Sequence, residues 1–119
     1  MYDEGDMVKQ DITKAIYWYQ KASDLGDRMA KYYFAQHYRY GDGVAVDKVQ
    51  AFNLTRESAE LGFVPAQIEL GLMFEKGEGC SKDSGAAIYW YKKARDNSEA
   101  DEEDKKFAVS FLNQILDKE

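Results

Sequence analysis

The stretch AKYYFAQHYRYGDGVAVDKVQAFNLTRESAELG, residues 30–62, is answered 36 residues later by AQIELGLMFEKGEGCSKDSGAAIYWYKKARDN, residues 66–97. Ala30 pairs with Ala66, Phe34 with Leu70, and Gly41 with Gly77 at that one interval. The same step carries backwards. Asp11, Asp47 and Asp83 are in phase, as are Ala15, Ala51 and Ala87, Tyr2, Tyr38 and Phe74, and Gly5, Gly41 and Gly77. So many matches in one phase define an internal repeat, which decides the fold before any local propensity does.

Each unit reads as two helices. In the second helix of the pair (type B), Ala15, Trp18, Tyr19, Ala22 and Leu25 fall on one continuous helical face. Ala51, Leu54, Thr55, Ser58 and Leu61 repeat it, and so do Ala87, Trp90, Tyr91 and Ala94. This phase makes Trp18 and Trp90 packing residues. Asp11, Asp47 and Asp83 stand where an N-cap belongs, and Asp47 with Gln50 has capping-box spacing. Gly26 and Gly62 follow the last apolar position, as C′ glycines do. The first helix of the pair (type A) is shorter, with Ala30, Phe34, Ala35 and Tyr38 on one face and Ala66, Leu70, Gly71 and Phe74 on its copy. Ala35 and Gly71 beside large neighbours predict a notch for a close helix approach. Pro65, the only proline, falls at the start of its helix, where a missing N–H costs nothing. GDGVAVD (41–47) and GEGCSKD (77–83) are turns.

The third unit departs from the period, with Ser98 where glycine is expected and Glu102 where alanine is. Ser98–Asp104 reads as a longer connection. Phe107, Ala108, Phe111, Leu112, Ile115 and Leu116 then make an amphipathic capping helix over about 103–118, with Lys105, Asn113 and Asp117 turned to water. Tyr2 and Gly5 read as the closing turn of an A helix whose beginning is absent. The expectation is a fragment of a longer array, or a first B helix left bare. The whole, residues 1–119, reads as one all-α domain: units of about 1–26 (partial), 27–62 and 63–97, stacked right-handedly as antiparallel helix pairs and closed by the cap.

The pattern over roughly residues 2–97 resembles the Sel1-like repeat, a relative of the tetratricopeptide repeat. It is carried by Ala30, Phe34, Ala35, Tyr38, Gly41, Gly43, Val44 and Asp47, by their copies Ala66, Leu70, Gly71, Phe74, Gly77, Gly79 and Asp83, and by Lys14-Ala15 with Trp18-Tyr19 and Ala87 with Trp90-Tyr91. Met7 replaces the second turn glycine, Cys80 a valine, Gln50 and Ala86 a lysine, and Leu54-Thr55 the Trp-Tyr pair. The resemblance implies an α-solenoid scaffold that brings proteins together. A cysteine-rich branch of the family is associated with β-lactam binding and hydrolysis, but its paired cysteines are missing here.

Composition narrows the chemistry. With 16 Lys+Arg against 22 Asp+Glu, the net charge of -6 disfavours nucleic acid and anionic membranes. One cysteine, Cys80, and one histidine, His37, provide neither a disulfide framework nor a metal site of the usual kind. No cofactor or metal is expected. No apolar run approaches the ~20 residues of a membrane helix, and the acidic start MYDEGD is unlike a signal peptide, so a cytoplasmic location is expected. The spacing gives His37 no nucleophile or orienting carboxylate, and Cys80 reads as a small buried side chain. The GDG and GEG turns lack phosphate-loop spacing.

What remains is the surface that an array presents. At 100° per residue, the face of the A helices opposite their core stripe carries Met29, Tyr32, Gln36, Arg39 and Tyr40, then Ile68, Leu72, Glu75 and Lys76. In a tetratricopeptide-like superhelix this face lines the concave groove. The expected function is therefore a non-catalytic scaffold that clasps a protein or peptide segment there, with the aromatic and aliphatic residues as anchors and Arg39, Glu75 and Lys76 setting charge register. Two alternatives stand beside it. One is a small hydrolase by analogy with the cysteine-rich branch; the other is a structural piece that self-associates through its incomplete N-terminal unit.

Overall fold

The computed structural model describes the backbone of residues 4–117 and the side chains of residues 12–117. Six helices follow one another: α1 (Glu4–Asp24), α2 (Arg28–Tyr40), α3 (Lys48–Glu60), α4 (Val64–Lys76), α5 (Ser84–Arg95) and α6 (Glu102–Asp117). No strand occurs among the described residues. Helices α2/α3 and α4/α5 are the A/B pairs. Each helix packs against its neighbours in sequence, and α6 also touches α4. The molecule measures 58 × 27 × 23 Å, with a radius of gyration of 15.8 Å. A compact chain of this length would have about 13.5 Å, so the units stack in a row as a solenoid does.

The repeat chemistry sets the helix ends. The carboxylates of Asp47 and Asp83 accept from the N–H groups of Gln50 and Ala86, at 3.0 Å in each case. Their own N–H groups donate to the carbonyls of Tyr38 and Phe74, both at 2.9 Å, which folds each B helix back on its A helix. The Asp47 N–H is thus taken by Tyr38, so the capping box expected with Gln50 is not closed. Asp27, which the repeat pattern did not single out, caps α2 through Met29 and Ala30. Gly79 is left-handed at φ 75°, and a Cβ there would overlap the Lys48 carbonyl oxygen.

The first unit departs from expectation. Helix α1 runs unbroken through Gly5 and Asp11, so position 11 is inside a helix and is not an N-cap. The reason is Met7. In the two intact turns the second glycine, Gly43 or Gly79, has positive φ, a conformation that costs a side-chain-bearing residue roughly 1–2 kcal/mol. Tyr2 lies outside the described residues. At the other end, the acidic stretch is only partly a connection. Glu102, Glu103 and Asp104 form the first turn of α6, where they suit the positive end of the helix dipole. Asp101 caps that turn, accepting from the N–H of Asp104 at 2.7 Å. Helix α6 starts 38 residues after α4 rather than 36, so Ala108 and Leu112 take the places of Leu70 and Phe74 and are buried. Lys105, Asn113 and Asp117 are exposed as expected, but so are Phe107 and Leu116.

The core lies between units. Ala51, Phe52, Ala59, Ala66, Leu70, Met73 and Trp90 form its largest cluster, while Phe34, Ala35 and Leu54 close the first interface. Gly71 is the expected notch: a Cβ there would run into the ring of Tyr91, which is fully buried. Trp18 breaks the B-helix pattern. It is 64% exposed while Trp90 is 9% exposed, because no described helix covers the face of α1 that corresponds to the buried face of α5. Polar ties join the units as well. Gln67 donates to the Ala59 carbonyl at 3.1 Å and accepts from Asn97, which also donates to the Gly62 carbonyl.

Candidate functional site

The A helices provide one comparable row of side chains per turn. Positions 29, 33, 36 and 40 of α2 correspond to 65, 69, 72 and 76 of α4, and to 103, 107, 110 and 114 of α6. On α2 this stripe is Met29, Tyr33, Gln36 and Tyr40. Met29, Tyr33 and Tyr40 are exposed and Gln36 is half-buried. On α4 it is Pro65, Glu69, Leu72 and Lys76, with only Lys76 exposed. On α6 it is Glu103, Phe107, Ser110 and Gln114, all exposed.

Of the nine residues expected in the groove, Met29, Gln36, Tyr40, Leu72 and Lys76 belong to this stripe. Tyr32 is half-buried against Phe63, with ring centroids 5.4 Å apart and an edge-on geometry. Ile68 packs on Val64, Ala94 and Ala108. Leu72 packs on the cluster of Ala87, Tyr91, Leu112 and Ile115, so the end helices α5 and α6 cover part of it. Glu75 is half-buried. Arg39 is held within the chain. It donates to both carboxylate oxygens of Glu78, at 3.1 and 2.8 Å, and pairs with Glu69 on α4. Tyr33 and Phe107 were missed. Tyr33 was legible, since 29, 33, 36 and 40 are spaced by four, three and four. The 36-residue period places Phe107 on the buried face of α6, and the two-residue shift in register turns it to the open side.

The Arg39 tie has an electrostatic consequence. The hydrogen bond from Arg39 holds the Glu78 carboxyl below its ordinary 4.5, with Lys48 adding to the pull. A carboxylate depressed in the folded state contributes its full stability above the unfolded value and loses it as pH falls through the folded value. Melting temperatures of wild type and Arg39→Met should therefore differ most at neutral pH and converge as pH falls below 4.5 through the lowered folded value. A gap that is unchanged in acid, where Glu78 is protonated in both states, would show that the pair does not contribute.

The other candidates for chemistry sit in structural settings. His37 Nδ1 lies 2.9 Å from the Asp42 carbonyl oxygen and its ring 5.6 Å from that of Tyr19. Cys80 is half-buried and directs its thiol at the Met73 carbonyl, 3.6 Å away. Burial pushes that thiol up, with Asp83 and Glu78 adding to the effect. This is the opposite of an activated nucleophile. Among the described residues no group of three or more acidic, histidine or cysteine side chains could hold a metal ion, and no helix is long and apolar enough to cross a membrane.

These stacked hairpins with paired turn glycines define a helical repeat protein. The Sel1 repeat pattern matches residues 1–27, 28–63 and 64–98, and the chain belongs to the Sel1 repeat family. It is 32% identical over 102 residues to the chitin synthase regulator SKT5 of Saccharomyces cerevisiae, covering 83% of this chain and 15% of that protein. It is also 32% identical over 92 residues to chitin synthase regulatory factor 3 of Schizosaccharomyces pombe, covering 72% of this chain and 10% of the relative. Among solved structures, a protective antigen present in uropathogenic Escherichia coli strains and displaying an SLR fold superposes with a TM-score of 0.82. That match has 29% identity and covers 90% of this chain and 22% of the antigen. The chain thus spans a small part of the length of each of these proteins.

Proposed function

We propose that this chain is a non-catalytic scaffold whose inner face holds a segment of another protein. The observation that carries the reading is the exposed apolar row on the A helices. Met29, Tyr33 and Tyr40 on α2 and Phe107 on α6, the repeat equivalent of Tyr33, lie on the same stripe, with Glu69, Leu72 and Lys76 of α4 between them. Large rings exposed in line, with two rotatable bonds each, are the side chains that anchor partners most effectively. Tyr32, Ile68 and Glu75 are half-buried on the same helices beside this stripe. Similarity to chitin synthase regulators supports a regulatory, protein-binding role. The thiol of Cys80 and the contacts of His37 give the hydrolase alternative no support.

The test is to select binding peptides from a random displayed library and measure their affinity for variants. Tyr33→Ala and Phe107→Ala should each weaken a selected peptide roughly tenfold, while Arg56→Ala on a B helix should leave it unchanged. Equal affinity for all three would remove the inner face as the site. A second reading, self-association through α1, is favoured by the exposed Tyr17, Trp18 and Leu25. Sedimentation decides it: a dimer lost in Trp18→Ala supports this reading, and a monomer throughout removes it.

A further inference from the structure

A cavity of about 170 Å³ opens between α1, α2 and the turn that follows α2, lined by Tyr19, Tyr33, Gln36, His37, Tyr40 and Asp42. It is smaller than the roughly 300 Å³ where drug-sized sites begin, so it suits a single side-chain head. Three of its walls are tyrosines. Tyr19 and Tyr33 stack at 5.7 Å with 30° between their planes. His37 Nδ1 donates to the Asp42 carbonyl at 2.9 Å. The Asp42 carboxylate stands at the rim, with one oxygen 3.7 Å from His37 Nδ1. The lining joins three aromatic rings to a carboxylate and contains no lysine or arginine.

The next unit shows what this repeat position accepts. One period on, Tyr33 and Asp42 become Glu69 and Glu78, the two carboxylates that hold the Arg39 guanidinium. In the second unit, therefore, an arginine from the preceding A helix fills the place. One period before Arg39 the sequence has Asp3, so the first unit has no such arginine at the equivalent position. Its counterpart walls are mostly rings instead of carboxylates. Tyr40 already carries Arg39, with Cζ 5.3 Å from the ring centroid. A ring has two faces, and that arginine is neutralised by its two carboxylates. The third unit has rings at Tyr91, Phe107 and Phe111 but Leu116 where Asp42 stands, so the combination of rings and carboxylate is particular to the first unit.

We propose that this cavity takes an arginine side chain from the partner, its guanidinium stacked on Tyr33 and Tyr40 and charge-paired with Asp42. A planar, weakly hydrated cation gains from the ring faces and from the carboxylate together. That the arginine belongs to the clasped segment rests on the scaffold reading; the cation preference of the cavity does not. The test therefore uses small probes. The tyrosine ring resonances are followed by NMR during titration with N-acetyl-arginine methylamide and with its neutral isostere N-acetyl-citrulline methylamide. The arginine probe should bind saturably and about tenfold more tightly than citrulline, with ring shifts at Tyr33 and Tyr40. Tyr40→Leu and Asp42→Asn, both at exposed positions, should each weaken it several-fold and leave the spectrum of the remaining fold intact. Equal affinity for the two probes, or unchanged arginine affinity in both variants, overturns the proposal. Either result leaves the peptide-binding experiment on Tyr33 and Phe107 to judge the groove by itself.

Discussion

Trp90→Ala should cost about 3–5 kcal/mol of folding stability, whereas Trp18→Ala, at the same position two units earlier, should cost no more than about 1 kcal/mol. Both rings sit edge-on to the preceding tyrosine, with centroids 5.5 Å apart for Tyr17–Trp18 and 5.2 Å for Tyr89–Trp90. Each also lies within 6 Å of a lysine ammonium one turn on, Lys21 or Lys93. Only the cover differs. Trp90 packs among Ala51, Phe52, Ala59, Ala66, Leu70 and Met73, so its truncation leaves a cavity that the two helices beneath it cannot close. Trp18 has water over most of its surface. Urea unfolding of the two variants measures the contrast, and similar losses would mean that the face of α1 is covered in solution.

Gly71→Ala is expected to destabilise the chain by about 1–3 kcal/mol, although alanine is the better helix former by about 1 kcal/mol. The new methyl group meets the ring of buried Tyr91, and neither side can withdraw because Tyr91 also stacks on Phe111 at 5.8 Å. The preceding unit has Ala35 and Thr55 at these two positions, a larger residue in the notch with a smaller one opposite. Gly71→Ala should therefore change sign in a Tyr91→Thr background and stabilise it by up to about 1 kcal/mol. A double-mutant cycle reads this as a coupling of about 1–4 kcal/mol, the sum of the two opposed effects. An effect of Gly71→Ala that is the same in both backgrounds would show that the ring is not what fills the notch.

The fold was legible because every repeat position states its task more than once. Asp47 and Asp83, or Gly41 and Gly77, confirm one another as no single residue could. Legibility failed where a unit had no intact copy to compare. Met7 looked like a tolerated substitution in the turn, yet a side chain at a left-handed position removes the turn, and α1 runs on through Asp11. The two extra residues before α6 hid the equivalence of Phe107 with Tyr33. At the groove, helical phase separated the core stripe from the rest but did not distinguish residues facing the next unit from residues facing the open side. Tyr32 and Tyr33 are adjacent, and only the packing of Phe63 decides which of them is covered. Helical phase alone leaves Arg39 free for a partner, because its two carboxylates lie 30 and 39 residues away in sequence.

Contacts between successive helices, with little beyond them, have a mechanical meaning. Among the described residues each helix is tied chiefly to its neighbours in sequence, so small rotations at each interface add along the 58 Å axis as the turns of a spring do. The row of A helices can change its spacing and angle without breaking any one interface. A clasped segment would then be met by a scaffold that bends to its length.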